Sequence, residues 1–275
     1  MTTHTSSRSR PARMAALIRY FLVRAVADRL IAAWPFLLVA IAMLALAIGQ
    51  GMMLEKAEAS LTFLAAASRL ALVLVTVSHT AIWISRDFES KEIELLASKA
   101  AGRLDLLLAM LACVVILAFA MVVLIPLAAL PFAVAGTGGL VLWTVTLALE
   151  AALAGTLTLF IALAIPNPVI AILAAVGWYV LARLSGTLLG TAGIPGEGQE
   201  ALMAPASGVD AGIWLDRGMH LVSLLLPRLD LMAQGDWLVH APAITGMLAL
   251  TVLQCIVHAG LIATAAFLDF RRRAF

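Results

Sequence analysis

Residues 85–103 read SRDFESKEIELLASKAAGR and form the one long charged stretch between two apolar runs. Eight of these residues are charged, whereas each neighbouring run is long enough to cross a bilayer. We therefore expect this stretch, called the charged loop below, to lie in water close to the membrane surface. Ile93, Leu96 and Ala100 recur at helical spacing, which predicts a short amphipathic helix.

A helix in the charged loop can occupy either of two locations. It can lie flat against the membrane, or it can dock into a groove of a soluble partner. Asp87 precedes Lys91 by four residues, which is the better orientation for an ion pair within one helix. The sequence therefore predicts an Asp87–Lys91 pair on the surface of this helix.

Composition decides the class of the protein. Hydrophobic residues make up 63% of the chain and charged residues 12%, against about 45–50% and about 25% in soluble domains. The apolar runs are long and continuous, which indicates helices and excludes the short alternating strands of a membrane barrel. Cys113 and Cys255 lie inside apolar runs and give no disulfide framework. We expect an all-α integral membrane protein.

The order of segments predicts six transmembrane helices. Residues 1–13 are polar and predict a disordered tail, and residues 14–32 predict an interfacial helix whose arginines reach toward lipid phosphates. The alternative for this second segment is an extension of the first span. Residues 33–268 contain the transmembrane domain, and 269–275 form a basic tail. The predicted spans are 33–54, 61–84, 105–130, 140–165, 168–189 and 242–268.

Basic residues predict the orientation of the chain. Thirteen of the 18 lysines and arginines lie in the N-terminal region, the charged loop and the C-terminal tail. The positive-inside rule then places both termini and the charged loop in the cytoplasm. The long segment 190–241, before the last span, falls on the outer side. Its first half predicts a loop, and its part 213–226 predicts either a surface helix or a half-buried re-entrant piece.

The chain carries no recognisable catalytic or nucleotide-binding motif. It has no G-x-x-x-x-G-K-[ST] sequence, no metal-ligand spacing among its five histidines, and no Ser/His/Asp or H-E-x-x-H pattern. We therefore expect no enzyme activity, no cofactor and no metal site on this chain, and no binding to nucleic acid. Any energy for work would come from another polypeptide.

Ionisable residues inside predicted spans are costly and are candidates for function. Arg69 and Glu150 lie at similar depths from the outer ends of spans two and four, roughly 13–16 Å at 1.5 Å per residue. Equal depth predicts a buried Arg69–Glu150 pair, either as a functional site or as a structural tie between helices. Arg183, in span five, is expected to extend its side chain outward to water.

The charged loop resembles the first cytoplasmic loop of ABC type-2 permeases, the membrane subunits of many bacterial ATP-driven exporters. In that family R-E-x-E-x-G-T-L-E-L-L-L-S-x-P-x-S-R precedes the third span. Lys91, Glu92 and Ala100 replace its Gly, Thr and Pro. The segment 220–239, with Pro227, Leu229 and Asp230, also resembles the family's L-x-P-x-L-D run before the last span. The matching positions in the loop are Arg86, Asp87, Glu89, Ile93, Glu94, Leu95, Leu96, Ser98 and Arg103.

The resemblance implies a function and a set of partners. The chain would be the permease subunit of an exporter in the bacterial inner membrane, working with a second permease copy in the lipid bilayer. The charged loop would be the coupling helix on which a cytoplasmic ABC ATPase docks, and ATP and Mg²⁺ would bind to that ATPase. The docking residues would be Arg86, Asp87, Glu89, Ile93, Glu94, Leu95, Leu96 and Arg103. A secondary transporter and a non-transporting scaffold or assembly factor are the alternatives.

Overall fold

The computed structural model describes residues 10–53, 55–99, 102–132, 137–193, 226–239 and 246–272. About 90% of this part is helical, and it contains no strand. Five helices are long and apolar enough to cross a membrane, so the chain has the features of an all-α, multi-pass membrane protein. They are Arg29–Gly51, Lys56–Glu89, Arg103–Phe132 as one apolar stretch, Gly138–Ala164 and Val252–Arg272.

We number the helices of the described residues in chain order. Leu130–Phe132 and Leu229–Leu231 form single 3₁₀ turns. The helices are α1 (Arg10–Val26), α2 (Arg29–Gly51), α3 (Lys56–Glu89), α4 (Glu92–Lys99), α5 (Arg103–Val122), α6 (Leu124–Ala129), α7 (Thr137–Ala164), α8 (Pro168–Gly193), α9 (Asp236–Val239) and α10 (Gly246–Arg272).

The N-terminal region differs from its prediction. Helix α1 begins at Arg10, inside the predicted tail, and ends at Val26, so the helix predicted over 14–32 is broken. The break has a local cause: Asp28 is extended and its side chain accepts a hydrogen bond from the Leu30 backbone N–H at 2.8 Å. Asp28 thereby caps the N-terminus of α2. Residues 1–9 lie outside the described part.

Helix α3 continues well beyond the predicted span 61–84. Its 34 residues rise about 51 Å at 1.5 Å per residue, whereas the bilayer core is about 30 Å thick. The helix ends at Glu89, and Lys91 then takes a left-handed conformation with φ 56° before α4 begins. The predicted Asp87–Lys91 pair is therefore wrong, because Lys91 lies in the turn and Asp87 contacts Arg24 instead.

The remaining spans have these limits. Span three, predicted at 105–130, is divided at Val123 into α5 and α6. Helix α8 is 26 residues long, with a shorter apolar portion at Pro168–Leu184, so the predicted fifth span, 168–189, and the total of six spans stay predictions. Helix α10 ends at Arg272, inside the predicted basic tail. The predicted loop and the segment 213–226 lie mainly in 194–225, outside the described residues.

Helix α3 packs against α2, α7 and α8, and α7 also packs against α5 and α10. Gly155 permits the close approach at α7, since a Cβ there would lie 2.5 Å from Val114 Cγ1 and 3.1 Å from Thr76 Cγ2. Arg103 donates to the Arg271 carbonyl oxygen at 2.8 Å, so α5 begins beside the end of α10. We call this end of the bundle the α4 end, and the opposite end the far end.

Candidate functional site

Two groups of polar side chains lie on α3. One surrounds Asp87 at the α4 end and the other surrounds Arg69 toward the far end. The two residues are 18 positions apart on the same helix, which corresponds to roughly 27 Å. A continuous helix therefore connects the two groups.

The far-end group is built around the segment 226–239. Leu229, Met232 and Ala233 are each 0% exposed, and the segment packs against α3, α7, α8 and α10. Its contact with Arg183 lies ten residues before the end of α8, roughly 15 Å along the helix. The segment thus enters the bundle. Non-helical backbone at such depth requires hydrogen-bond donors from the protein.

Arginine and tryptophan side chains supply these donors. Arg183 Nη1 donates to the carbonyl oxygen of Leu229 and, at 2.8 Å, to that of Met232. Arg69 Nη1 donates to the Ala233 carbonyl oxygen at 3.0 Å. Two arginines from different helices therefore bind three carbonyls of one short segment.

Helix α7 completes the contacts of Ala233. The Trp143 Nε1 group donates to the Ala233 carbonyl oxygen at 3.1 Å, and the Ala233 N–H donates to Thr146 Oγ1 at 3.2 Å. Ala233 has φ 44°, in the left-handed region that few residues other than glycine adopt. The strained backbone is held by three side chains from two helices.

Glu150 supplies the negative charge of this group. It is fully buried, its Oε1 accepts a hydrogen bond from the Tyr179 hydroxyl at 2.6 Å, and the same oxygen lies 3.6 Å from Arg183 Nη1. Its Oε2 has no hydrogen-bond partner among the described residues. We call Arg69, Glu150, Tyr179 and Arg183, with the carbonyls of Leu229, Met232 and Ala233, the arginine–carbonyl cluster.

The predicted Arg69–Glu150 pair can be compared with this geometry. The structure brings both residues into the arginine–carbonyl cluster, but the ion pair that it gives Glu150 is with Arg183. Arg69 instead contacts a backbone carbonyl. Arg183, expected to extend outward, turns inward with its side chain 21% exposed. Sequence reasoning missed its role and that of Tyr179, although the spacing of four residues places both on one face of α8.

The α4-end group joins α1 to α3 and α4. Arg24 Nη2 lies 2.5 Å from Asp87 Oδ1, and Arg24 Nη1 lies 2.7 Å from Glu92 Oε2. The Tyr20 hydroxyl donates to Glu92 Oε1, and this hydrogen bond raises the pKa of Tyr20 above its usual value. The phenol therefore stays protonated and remains a donor. One arginine of α1 thus binds the last turn of α3 and the first residue of α4.

Asp28 adds a second ion pair beside the first. Its Oδ2 lies 3.3 Å from Arg86 Nη1 and 3.8 Å from His79 Nδ1. The His79 ring is buried and stacks on Trp83, with ring centroids 6.1 Å apart. We call Tyr20, Arg24, Asp28, Arg86, Asp87 and Glu92 the elbow cluster, because they surround the bend between α1 and α2.

Helix α1 is also fixed at its first residue. Arg10 Nη2 lies 2.7 Å from Asp105 Oδ1 at the start of α5. Arg10 and Arg24 therefore bind protein carboxylates, whereas Arg10 was predicted to lie in a disordered tail and Arg24 to reach lipid phosphates. Arg19 and Arg29 remain exposed.

The structure divides the predicted docking residues into two sets. Asp87 and Ile93 are fully buried, and Leu96 and Arg103 are partly buried. The exposed set is Arg86, Glu89, Glu94 and Leu95.

No group of three or more His, Cys, Asp or Glu residues in the described ranges could hold a metal ion. No family model matches the chain, and no curated protein matches its sequence. Its function therefore has to be inferred from the residues and their arrangement.

Proposed function

We propose that this chain is the membrane-spanning subunit of an ATP-binding cassette exporter, driven by a separate cytoplasmic ATPase that docks on the charged loop. The similarity of residues 86–103 to the coupling region of type-2 permeases supports the proposal. The observation that carries it is the continuity of α3, which extends from the arginine–carbonyl cluster to the elbow cluster.

The α4 end has the properties that a docking surface needs. Glu89 at the end of α3 is exposed, and so are Glu94 and Leu95 of α4, while Ile93 of α4 is fully buried. Arg24 binds both Asp87 and Glu92, so α4 is tied to α1 and α3 by charge-assisted contacts. A partner that moved α4 would therefore move α3 with it.

At the far end, the segment 226–239 is placed to respond to motion of α3. Arg69 of α3 binds the Ala233 carbonyl directly, so displacement of α3 along its axis would pull on the turn that follows Leu229. Arg183 of α8 holds the same turn independently. In our proposal, ATP-driven motion at the α4 end opens or closes the segment 226–239 as a gate, as alternating access requires.

The proposal includes the partners and the location. Two permease copies would sit in a bacterial inner membrane with both termini and the charged loop in the cytoplasm, in agreement with the distribution of basic residues. ATP and Mg²⁺ would bind to the ATPase subunits, and this chain would catalyse no reaction.

One observation favours a second candidate, a transporter that uses an ion gradient. Glu150 is fully buried, hydrogen-bonded to Tyr179, and has one carboxylate oxygen without a hydrogen-bond partner among the described residues. Buried carboxylates of this kind carry protons or ions in gradient-driven transporters. Transport that depends on Glu150 and continues without ATP would favour this candidate.

The docking proposal is tested by charge reversal at the exposed acids. Affinity-tagged full-length chain is purified in detergent from its source cells, and the co-purified proteins are searched for a P-loop ATPase and for ATP hydrolysis. The double variant E89K/E94K should lose at least nine-tenths of both, because the mutated side chains face solvent at the α4 end. The matched control E55K/E58K makes the same charge change at the other end of α3 and should retain both.

Three results would contradict the proposal. They are a wild-type preparation without any P-loop ATPase, an E89K/E94K preparation with undiminished ATPase, and equal losses in both double variants. Retention of the ATPase by E89K/E94K would remove the charged loop from docking but leave the arginine–carbonyl cluster as described.

A further inference from the structure

The elbow between α1 and α2 contains two cavities of different chemistry that share residues. One cavity, of about 510 Å³, is lined by three arginines, Asp28, Ala27 and Leu30. The other, of about 630 Å³, follows α1 and is lined largely by alanine and valine. Arg24 and Ala27 line both, so the cavities are contiguous. Each volume lies in the range of about 300–1,000 Å³ that is typical of ligand pockets.

The first cavity has an excess of positive charge. Its arginines are Arg24, Arg29 and Arg86, against one carboxylate. Arg24 is occupied by Asp87 and Glu92, and Arg86 lies 3.3 Å from Asp28. The Arg29 side chain makes no ion pair or hydrogen bond with the described residues and is exposed. An anionic group of a ligand would find an unpaired guanidinium there, with a second one held nearby by Asp28.

A buried histidine adds a further polar group at the base of this cavity. A small cavity of about 30 Å³, lined by Arg24, Asp28, His79 and Arg86, adjoins it. His79 is 3% exposed, and neither ring nitrogen has a hydrogen-bond partner among the described residues. The space is large enough for a water molecule, which could connect His79 to an anion bound between the arginines.

The second cavity is apolar and shaped by α1. Ala15, Ala16, Val23 and Ala27 lie on one face of this helix, and their small side chains leave a groove along it. Arg19 and Tyr20 also line the groove. A free phosphate ion would leave this groove unused, whereas an amphipathic ligand would fill both cavities.

We propose that the elbow binds an anionic phospholipid, whose phosphate lies between Arg29 and Arg86 and whose acyl chain lies in the apolar groove of α1. The proposal requires α1 to lie at the membrane interface, where such a lipid is the nearest ligand that joins a negative head to an apolar tail. It does not depend on the docking of an ATPase. The bound lipid would cover the exposed alanine and valine side chains that line the groove.

The test measures lipid binding to the delipidated full-length chain by native mass spectrometry. Phosphatidylglycerol and phosphatidylcholine with identical acyl chains are titrated separately, and the first binding event is quantified. We expect phosphatidylglycerol to bind at least about tenfold more tightly, because both lipids carry a phosphate but the choline ammonium of phosphatidylcholine cancels its charge and is repelled by the arginines. An excess of inorganic phosphate should leave the lipid bound.

Three variants test whether the lipid binds at the elbow. R29Q should weaken phosphatidylglycerol binding about fivefold, and R272Q, an exposed arginine at the end of α10, should leave it within twofold. A16W places a large ring in the groove at an exposed position, and should weaken binding of both lipids.

Each opposite result would overturn the proposal. Equal affinity for the two lipids would exclude recognition of the headgroup charge, and equal losses in R29Q and R272Q would indicate general attraction to positive charge. Displacement of the lipid by inorganic phosphate would indicate an anion site without a lipid. Unchanged binding by A16W would exclude the acyl groove.

Discussion

The two polar clusters on α3 differ in what their arginines bind. In the elbow cluster Arg24 binds two carboxylates, and its side chain is 35% exposed. In the arginine–carbonyl cluster Arg69 and Arg183 bind backbone carbonyls, and Glu150 is the nearby carboxylate. In the first arrangement, charged side chains hold one helix against another. In the second, they donate hydrogen bonds to backbone carbonyls that have no partner within a helix.

This difference predicts unequal energetic consequences. An ion pair near water, such as Arg86–Asp28 of the elbow cluster, can exchange a lost partner for solvent, so its net contribution is small. A buried carbonyl or carboxylate that loses its donor has no such replacement, and the penalty is the full cost of leaving it unpaired. The arginine–carbonyl cluster should therefore be the more sensitive to substitution, and the elbow cluster the more tolerant of it.

The largest expected effect comes from Arg183. R183M removes the donor to two carbonyls and the ion pair of Glu150. We expect a loss of about 3 kcal/mol in the free energy of unfolding, at the lower end of the range for a broken buried pair because Arg183 is partly exposed. Thermal unfolding in detergent should move down by roughly 6–10 °C.

Two further variants test whether the unpaired Glu150 carboxylate causes the loss of stability in R183M. E150Q/R183M should recover about 1–2 kcal/mol relative to R183M, since the unpaired buried carboxylate is gone. R86M, which breaks the exposed Arg86–Asp28 pair, should cost less than about 1 kcal/mol. If the double variant is no more stable than R183M, or if R86M costs as much as R183M, the contrast between the clusters is wrong.

The long apolar helices could be predicted from the sequence, but the partners of their polar residues could not. Continuous apolar runs locate α2, α7 and the stretch from α5 through α6 to within a few residues, because burial in lipid requires little more than length and composition. The depths of Arg69 and Glu150 correctly bring them into one cluster. They do not identify the ion pair. Arg183 lies closer to Glu150, and Arg69 donates instead to the carbonyl oxygen of Ala233, which is far away in sequence.

The elbow shows a different limit of sequence reasoning. A continuous interfacial helix is a reasonable interpretation of 14–32, since apolar and basic residues recur throughout. Asp28 is the available signal for the break, as a capping residue immediately before an apolar run. The binding of Arg24 to Asp87 and Glu92 depends on how α1 folds back against α3, and no local pattern contains that information.

An intermediate effect is expected at Asp87. D87N removes the buried carboxylate beside Arg24 but leaves Glu92 in place, so we expect a loss of about 1.5 kcal/mol in the local stability of α1. Local opening should then make trypsin cleavage within α1 about tenfold faster, measured by mass spectrometry of the fragments. E89Q changes an exposed carboxylate two residues away and should leave cleavage at the wild-type rate. Cleavage of D87N at that same rate would show that Arg24 does not hold α1 through Asp87.

The smallest effect, and the one of opposite sign, is expected at Lys91. Its φ of 56° lies in the left-handed region, which costs a residue with a side chain about 1–2 kcal/mol, whereas glycine adopts it freely. The family pattern that the charged loop resembles has glycine at this position. Lysine in its place therefore adopts a strained backbone conformation. Part of the gain from K91G is offset because glycine also makes the unfolded chain more flexible.

We therefore expect K91G to stabilise the chain by about 0.5 kcal/mol, which raises the midpoint of thermal unfolding by roughly 1–2 °C. S90G is the control, because Ser90 has φ −80° and glycine there gives flexibility without relief of strain. It also removes the 3.4 Å hydrogen bond that Ser90 Oγ donates to the Asp87 carbonyl oxygen. It should lower the midpoint by a similar amount. If both variants lower the midpoint, the turn between α3 and α4 is not strained at Lys91. If only K91G raises it, the turn at Lys91 has an unfavourable backbone conformation that the surrounding structure must hold in place.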